Sequence, residues 1–397
     1  MKSLCIIFHR LGPYHWARLN AAGKIGPTVG LEVSGETAEY AWNRVEGAGA
    51  FTRVTLFPEQ DSRQAPPTEV ARRIHQTLDE QDPAAVAIPG WWDKSALAAL
   101  SWCLKRDRPA IVMSESQRSD AARQWGKEMI KRRIVAMCST GLAGGAAHVS
   151  YLAALGMSSD RIFTGYDVVD NDYFAEQAAA IRREPDAVRS RLQLPRQYFL
   201  ASNRFLAKKN LPRLLEAFAG YRRNAGAGAW KLVLLGDGPL RPEVLRLREQ
   251  LGLTDDVLLP GFKQYDELPA YYALAGAFIH ASTTEQWGLV VNEAMASGLP
   301  VLVSDRCGCA SDLVVQGRNG FTFDPFDVPA VSQLLLRLAG GECDLSVMGQ
   351  VSREIIAGWS PREFATGLRS AAETAWDLPP RRSGLLDQTL LRSLISF

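Results

Sequence analysis

Two glutamates, Glu285 and Glu293, lie eight positions apart around a predicted junction between a buried strand and a helix. The apolar run AFIHAS predicts the strand, and the helical pattern begins near Gly288. The first amides of a helix have no acceptor within it, so those of Gly288, Leu289 and Val290 would bind an anion. A glycine there also lets a phosphate approach the backbone closely. The segment therefore predicts a diphosphate site with a carboxylate beside it.

The two carboxylates restrict the class of ligand that this site could bind. A carboxylate beside a bound phosphate is repelled unless it faces hydroxyl groups, which suits a sugar nucleotide. The diphosphate would lie on the helix amides, one glutamate would bind the sugar and the other the ribose. Two acidic residues eight positions apart also occur by chance, so a helix start with unrelated acidic residues remains the alternative on spacing alone.

Basic residues follow the first predicted strand of the second half. Arg204, Lys208 and Lys209 come after Tyr198–Ala201, where the strand gives way to the next helix. Cations at that edge can neutralise a diphosphate leaving group, with arginine as a planar fork and lysine as a mobile point charge. The alternative is that these are simply two solvated basic residues. Lys208 competes with Lys209 as the lysine that would neutralise the diphosphate.

The whole string EQWGLVVNEAMASGLPV resembles the signature of the retaining glycosyltransferases of family 4 (group 1), which have the GT-B fold. Glu285 and Glu293 match the E-x7-E motif of that family, and the run from Asp312 to Pro325 resembles its glycine-ended turn and strand. The resemblance implies two Rossmann-like, doubly wound α/β domains facing a cleft, with a C-terminal helix crossing back to the first. It also implies sugar transfer from a nucleotide-diphosphate sugar to an acceptor hydroxyl with retained anomeric configuration, without a metal or further cofactor.

The resemblance assigns roles in the second half. Arg204, Lys209 and Glu285 are the expected catalytic residues, and Glu293 is expected to bind the ribose. The family lysine is usually followed by glycine, and Asn210 stands there in this chain. Asparagine tolerates the left-handed backbone angles that glycine adopts, so the departure is mild.

Glycine-containing turns complete the expected donor pocket. Gly236 begins a G-x-G-P turn that resembles the family turn near the donor. Gly261 and Phe262 resemble the segment whose backbone borders the nucleotide base. In the first domain, Gly12 is expected near the donor phosphate, and His15 is a candidate acceptor contact or a structural residue at a helix start.

The first domain departs from the family at one position. Many members carry a histidine just after the fourth or fifth strand, whereas here Glu115 follows the predicted strand Ala110–Met113. Glu115 is the expected substitute and would hold acceptor or sugar hydroxyls. A helix cap or an ion pair is an equal alternative for this residue.

Ten predicted strands alternate with helices, which indicates parallel sheets covered on both faces. They are Leu4–Phe8, Val54–Phe57, Ala85–Ile88, Ala110–Met113 and Ile134–Cys138, then Tyr198–Ala201, Lys231–Leu235, Val257–Leu259, Ala277–His280 and Val301–Ser304. One sheet of this width would be unusual, so two domains are expected. We assign residues 1–185 to an acceptor-side domain, 190–360 to a donor-binding domain, and 361–397 to a crossover helix and tail. The tail has apolar residues at near-helical spacing, which predicts docking on its own protein, with a peripheral membrane or dimer contact as the alternative.

The composition of the chain excludes several classes of protein. The 397 residues include 45 Lys and Arg against 43 Asp and Glu, so the net charge of +2 gives no overall attraction to nucleic acid. Six scattered cysteines do not form a disulfide framework, and no stretch has the character of a signal peptide or a membrane span. A cytoplasmic protein is expected, working at the membrane's inner face if the tail contacts lipid.

Other chemistries remain open on the same fold. A metal-dependent transferase would need an Asp-x-Asp, and Asp170-Asn171-Asp172 is such a string, which we interpret as a turn and helix cap. A nucleotide-sugar epimerase, a phosphorylase and a non-catalytic sugar-nucleotide-binding protein are the further alternatives. The favoured setting is bacterial-type polysaccharide or glycoconjugate biosynthesis, with a sugar or lipid-linked sugar as acceptor.

Overall fold

The computed structural model describes residues 1–37 and 42–396, which fold into two compact α/β units. The first unit is Met1–Val169 together with the segment that begins at Ser360, and the second is Asp170–Trp359. Strands and helices alternate along most of both units, as expected for parallel sheets.

The strands and helices have the following bounds. The strands are β1 (Leu4–Phe8), β2 (Thr28–Ser34), β3 (Thr52–Phe57), β4 (Ala85–Pro89), β5 (Ala110–Ser114), β6 (Thr140–Ala143), β7 (Ile162–Thr164), β8 (Tyr198–Ser202), β9 (Lys231–Leu235), β10 (Val257–Gly261), β11 (Ala277–His280), β12 (Val301–Ser304) and β13 (Gly320–Phe323). The helices are α1 (Pro13–Ile25), α2 (Pro67–Gln81), α3 (Lys94–Lys105), α4 (Trp125–Met137), α5 (Ala146–Ala154), α6 (Asn171–Ile181), α7 (Pro185–Leu192), α8 (Leu211–Ala225), α9 (Arg241–Gln250), α10 (Leu268–Leu274), α11 (Leu289–Ala296), α12 (Ala310–Leu313), α13 (Val328–Ala339), α14 (Leu345–Ile356), α15 (Pro361–Asp377) and α16 (Leu385–Ser396).

Each unit is built on one parallel sheet. In the first unit the strand order is β3-β2-β1-β4-β5-β6-β7, and in the second it is β10-β9-β8-β11-β12-β13. Central strands such as β1 and β5 are buried along their whole length, as expected for strands covered on both faces. These are the two Rossmann-like, doubly wound domains that the resemblance implied.

One predicted strand is wrong. The apolar run Ile134–Cys138 forms the last turn of α4 and the residue after it, and the strand beside β5 is Thr140–Ala143 instead. Ile134, Val135 and Met137 are buried because that face of the helix is covered. A short apolar run is compatible with either a buried helix or a buried strand, so its periodicity could not decide between them.

The boundary between the units differs from the predicted one. Helix α6, which the sequence-based bounds place in the first domain, packs on α10 and α11 of the second unit. Asn171 at its start donates to the carbonyl oxygens of Ile356 (2.8 Å) and Trp359 (3.2 Å), near the end of that unit. The turn before α6 is therefore where the chain passes from one unit to the other.

The C-terminal segment returns to the first unit. Helix α15 packs on α1 and β7, and the side chains of Phe364 and Leu368 are fully buried there. Helix α16 packs on α3 through Leu391, so the tail docks on its own unit. Phe397, which the predicted apolar stripe included, lies outside the described residues. None of the helices described has the length and apolar character that a bilayer crossing requires.

Asn210 adopts the left-handed conformation expected for it, with φ of +57°. Its Nδ2 donates to the carbonyl oxygens of Ala281 (3.1 Å) and Pro325 (2.8 Å), which joins three loops.

We expect Asn210→Ala to lose both hydrogen bonds and add left-handed strain, lowering the unfolding free energy by roughly 2–3 kcal/mol. Asn210→Gly should lose only about half of that. Urea denaturation measures both, and equal losses would contradict the strain argument.

Candidate functional site

The strand order of the second unit reverses between β8 and β11, which opens a crevice at their carboxyl ends. Lys208 and Lys209 follow β8, and Glu285 follows β11. The amide of Thr283 donates to the carbonyl oxygen of Lys208 at 2.8 Å, so the two loops are joined directly. Both loops therefore present their charged side chains to one another in this crevice.

Glu285 is the centre of the cluster. Lys209 Nζ donates to its Oε2, Lys208 Nζ donates to its Oε1 at 3.2 Å, and Ser282 Oγ lies 3.4 Å from Oε2. His280 Nε2 lies 3.6 Å from the same Oε2. The Lys209 side chain is 12% exposed and that of Lys208 is 39% exposed. Two ammonium groups against one carboxylate leave a local positive charge, which favours an incoming diphosphate.

The electrostatics keep Glu285 ionised. Burial alone would raise the pKa of Glu285, but the nearby imidazole of His280 and the charge of Lys209 outweigh it and lower that pKa far below its usual value. Burial lowers the pKa of His280, against the opposing pull of Glu285, so the imidazole is neutral at pH 7. The site thus holds a permanent carboxylate and a neutral imidazole side by side.

His280 and Ser282 are site residues that the sequence reasoning missed. Both are fully buried, and Ser282 Oγ lies 3.2 Å from His280 Nε2. Their signal was present in the sequence, since two polar residues interrupt the apolar run at the end of β11. Polar residues at the carboxyl end of a buried parallel strand point to a site.

Helix α11 begins as the sequence predicted. Gly288 precedes it with φ of +109°, an angle that a side chain would strain, and Leu289 and Val290 supply the first helical amides. Trp287 is buried and its Nε1 donates to Asn292 Oδ1 at 2.9 Å, which fixes the entry to the helix. A Cβ on Gly288 would lie 3.7 Å from Glu285 Cγ, so this helix start adjoins the charged cluster.

Glu293 lies inside the unit and not in the cluster around Glu285. It is 0% exposed, and Tyr272 Oη donates to its Oε2 at 2.6 Å. Burial, and next the charge of Glu293, raise the pKa of Tyr272 and that of Tyr265. A buried carboxylate of this kind needs its tyrosine partner, and its position in α11 places it one to two turns from the helix start.

Arg204 is exposed, and its side chain forms no hydrogen bond or ion pair with any residue in the described part of the chain. The neighbouring Asn203 is 7% exposed, and neither polar atom of its side chain has a hydrogen-bond partner among the described residues. The Gly236–Gly238 turn lies directly against this segment, because a Cβ on Gly236 would be 1.8 Å from the Asn203 carbonyl oxygen. The Gly236–Gly238 turn therefore lies against the loop after β8, and the guanidinium of Arg204 has no partner in the described part of the chain.

Gly261 ends β10 with φ of +84°, and its carbonyl oxygen accepts from the Gly236 amide at 2.9 Å. Phe262, which follows, is 40% exposed. The two glycine-containing segments are thus adjacent at the carboxyl edge of the sheet, and the exposed ring of Phe262 is free to pack on a planar ligand.

The first unit holds its predicted residues at the same edge of its own sheet. Gly12 caps α1, and its amide donates to His15 Nδ1 at 3.2 Å. Burial, and next the charge of Arg18, lower the pKa of His15 to about 3. The His15 ring also packs on Phe8 at 4.4 Å. His15 therefore caps the helix in its neutral form, and Nε2 is the nitrogen left for a ligand.

Glu32 is a fully buried carboxylate that the sequence reasoning also missed. Its Oε1 accepts from the Leu11 amide at 2.9 Å, and its Oε2 accepts from Arg53 at 2.7 and 3.1 Å and from Thr55 at 2.8 Å. The carboxylate thereby holds the loop that carries Gly12. No periodicity signal was available, because Glu32 lies inside a strand whose residues are all buried.

Glu115 faces a second carboxyl group. The second group is that of Asp167, which is fully buried and whose Oδ1 lies 4.0 Å from Arg18 Nη2. Burial first, and then the charge of Glu115, raise the pKa of Asp167 well above its usual value. A Cβ on Gly144 would lie 2.2 Å from Asp167 Oδ2, so only glycine fits there. The raised pKa favours the protonated form of Asp167 beside Glu115.

The neutral state of His15 predicts a pH dependence. An unfolded imidazole has a pKa near 6.5, so below that pH the unfolded state binds one proton more than the folded state. Stability should fall as the pH drops from 6.5 towards 3, with His15 contributing up to about 1.4 kcal/mol per pH unit. His15→Asn keeps an acceptor for the Gly12 amide and should flatten the profile. If urea denaturation shows that wild type and variant lose the same unfolding free energy as the pH falls, His15 is not the residue responsible.

The Asp-x-Asp string forms a helix cap. Asp170 Oδ1 accepts from the Tyr173 amide at 3.1 Å, and Asp172 lies in the first turn of α6. Within residues 1–37 and 42–396, no group of three or more His, Cys, Asp and Glu side chains is arranged to hold a metal ion. The interpretation of this string as a turn and cap is the one that the contacts support.

Known proteins share the region that carries the charged cluster. Residues 183–352 match the family Glycosyl transferases group 1. This glycosyl transferase region lies entirely within the second unit and contains β8 to β13.

Curated relatives align over part of the chain. A GDP-mannose-dependent alpha-(1-6)-phosphatidylinositol monomannoside mannosyltransferase of Mycobacterium tuberculosis is 31% identical over 200 residues, 48% of this chain and 50% of the relative. The alpha-monoglucosyldiacylglycerol synthase of Acholeplasma laidlawii is 32% identical over 122 residues, 30% of each chain. The chain thus spans half or less of each of these relatives.

Solved structures resemble nearly the whole chain. A sucrose-phosphate synthase from Thermosynechococcus elongatus gives a TM-score of 0.73 at 16% identity, covering 93% of this chain and 98% of the other. Anabaena HepE in complex with UDP and glucose gives 0.71 at 17% identity, covering 95% and 100%. These likenesses confirm the expected GT-B fold class.

Proposed function

We propose that this protein is a retaining glycosyltransferase of family 4 that moves a sugar from a nucleotide-diphosphate sugar to an acceptor hydroxyl. The observation that carries the proposal is the cluster of Lys208, Lys209 and Glu285 beside the start of α11, at the reversal of strand order. The matched glycosyl transferase region contains all of these residues. HepE, whose complex holds UDP and glucose, shares the fold.

The positive charges and helix amides of the cluster would favour the departure of a diphosphate. Lys209, with Arg204 and the amides of Leu289 and Val290, would stabilise the negative charge that develops as the bond from the anomeric carbon to the diphosphate oxygen breaks. Glu285, which stays ionised, would bind sugar hydroxyls and offset positive charge at the anomeric carbon. These cations supply what a divalent ion would otherwise supply, so we propose a metal-independent reaction.

The acceptor side belongs to the first unit in this proposal. The acceptor oxygen forms the new bond to the anomeric carbon on the face that the diphosphate leaves, and the leaving phosphate oxygen takes the acceptor proton. Glu115 would hold the acceptor or sugar hydroxyls, with the buried Asp167 beside it. Gly12 and His15 would line the approach, His15 through its Nε2.

Glu293 would bind the ribose, and the exposed Phe262 with the Gly236 and Gly261 turns would border the base. The acceptor is proposed to be a sugar or lipid-linked sugar in polysaccharide or glycoconjugate assembly. Among the relatives, the mycobacterial enzyme is named for a phosphatidylinositol monomannoside and the Acholeplasma enzyme for the synthesis of a monoglucosyldiacylglycerol, so lipids and glycolipids belong in the acceptor set.

A screen of UDP- and GDP-sugars by thermal shift tests donor binding, since a ligand that binds only the folded state raises its Tm. Donors that bind are then offered with acceptors, and NMR of the product reports the anomeric configuration. We expect nucleoside diphosphate release that requires acceptor, gives a product of unchanged configuration and is not reduced by EDTA. Inverted product, or loss of activity in EDTA that Mg²⁺ or Mn²⁺ restores, would refute the mechanism. Epimerised donor without acceptor would favour an epimerase instead, and binding without turnover a sugar-nucleotide-binding protein.

A further inference from the structure

A cavity of about 560 Å³ lies at the edge of the second sheet opposite to Glu285 and Lys209. Gly276, the residue before β11, and Pro300, the residue before β12, both line it. Because the strands of this sheet are parallel, their amino ends lie at the other edge from the donor site. The cavity is therefore separate from the site proposed above, although both lie in the same unit.

Arg182, at the end of α6, forms one wall. Its Nε donates to the Ala273 carbonyl oxygen at 2.9 Å, and its Nη2 donates to the Ser297 carbonyl oxygen at 2.7 Å. These two bonds hold the guanidinium in place and use only part of its five donors. The remaining donors are available to a ligand without any rearrangement of the side chain.

Arg353, on α14, forms the facing wall. It lies on the turn after α11, because a Cβ on Gly298 would be 2.0 Å from Arg353 Nη1. Gly298 has φ of +77°, a backbone angle that favours glycine, and the absence of a side chain there leaves room for the Arg353 guanidinium. Arg353 makes no side-chain hydrogen bond or ion pair with any residue of the described ranges.

The two arginines share the cavity without a neutralising acid. Neither forms an ion pair among residues 1–37 and 42–396, and burial together with the charge of Arg353 lowers the pKa of Arg182. The carboxylate next to the cavity wall, that of Asp344, accepts from the amides of Ser346 and Val347 and caps α14. Two like charges held close together without an acid favour a bound anion.

Most of the remaining wall consists of apolar side chains and glycine, and Ser297 and Ser346 are its polar residues. The apolar side chains are those of Ala175, Ala179, Ala275, Ala296, Leu299, Pro300 and Leu345. A cavity of this volume exceeds the space that a single oxyanion occupies, so it has room for an organic group beside a charged one.

We propose that this cavity is a second ligand site, which binds a small phosphate monoester with its phosphate between Arg182 and Arg353. A phosphate monoester carries close to two negative charges at pH 7 and three acceptor oxygens, which match two guanidinium groups. A single carboxylate would balance only one of the two charges. The organic body of the ligand packs on the alanine, leucine and proline side chains.

The test uses isothermal titration calorimetry at constant ionic strength with inorganic phosphate, glycerol 3-phosphate and glucose 6-phosphate. The protein carries Lys209→Ala, so that phosphate binding at the donor site is weakened and does not mask the cavity. We expect the phosphate monoesters to bind more tightly than inorganic phosphate, and Arg353→Gln to weaken binding at least tenfold. Arg183→Gln is the matched control, since Arg183 is next to Arg182 and does not line the cavity.

A second variant keeps the test decisive if Arg353→Gln does not fold. Ala179 is exposed on α6 and lines the cavity, so Ala179→Glu places a carboxylate beside the arginines without disturbing the core. We expect this variant to lose phosphate monoester binding as well. The proposal is overturned if none of the three probes binds, if acetate binds as tightly as the monoesters, or if Ala179→Glu binds like its parent.

Discussion

Lys209→Ala is expected to lower kcat about 10²–10³-fold while both units remain folded. Lys209 is the better buried of the two lysines on Glu285, and it would stabilise the diphosphate charge that appears only as the glycosidic bond breaks. An interaction that strengthens in the transition state affects kcat more than the Michaelis constant. Steady-state kinetics with the donor and acceptor found by the screen measure both constants.

Lys208→Ala is the matched control for this variant. Lys208 contacts the same carboxylate at 3.2 Å but is 39% exposed, so its loss should cost no more than about 1 kcal/mol, or about fivefold in rate. A larger loss in Lys208→Ala than in Lys209→Ala would transfer the catalytic role to Lys208. Wild-type rates in both variants would remove the lysines from the mechanism.

Glu293→Gln is expected to weaken donor binding about 10–100-fold with little change in kcat. A carboxylate bound to ribose hydroxyls contributes roughly 1.5–3 kcal/mol through charged hydrogen bonds, and glutamine removes the charge. The glutamine carbonyl oxygen can still accept from Tyr272 Oη, so the fold should be retained. Calorimetric titration with the nucleoside diphosphate and the Tm of the variant separate the two effects.

Tyr272→Phe is the structural control for Glu293. It keeps the carboxylate but removes the donor at 2.6 Å, which leaves a buried charge with one partner fewer. We expect this variant to lose several degrees of Tm and to bind the nucleotide nearly as well as wild type. If Glu293→Gln instead lowers the Tm and leaves nucleotide binding unchanged, Glu293 is a core residue without contact to the donor.

The second sheet was largely predictable from the sequence. Its strands β8, β9, β11 and β12 are apolar except for one terminal residue each, which is close to the pattern of parallel strands buried on both faces. In the first sheet, β2 was missed because Gly30 and Glu32 interrupt its apolar pattern. Arg53 and Thr55 on the neighbouring strand accommodate that charge, and such a pairing between strands leaves no mark on periodicity.

The sequence by itself determined the alternation of strands and helices, and with it the edge of each sheet where chemistry is placed, because parallel strands deliver their carboxyl ends to one side. Only the tertiary structure decided which charges meet. Lys209 pairs with Glu285, 76 positions away, while Glu293 turns inward to Tyr272 and Arg182 comes close to Arg353. Periodicity reports which face of an element is covered, but a pairing depends on side-chain distances between elements that are far apart in the chain.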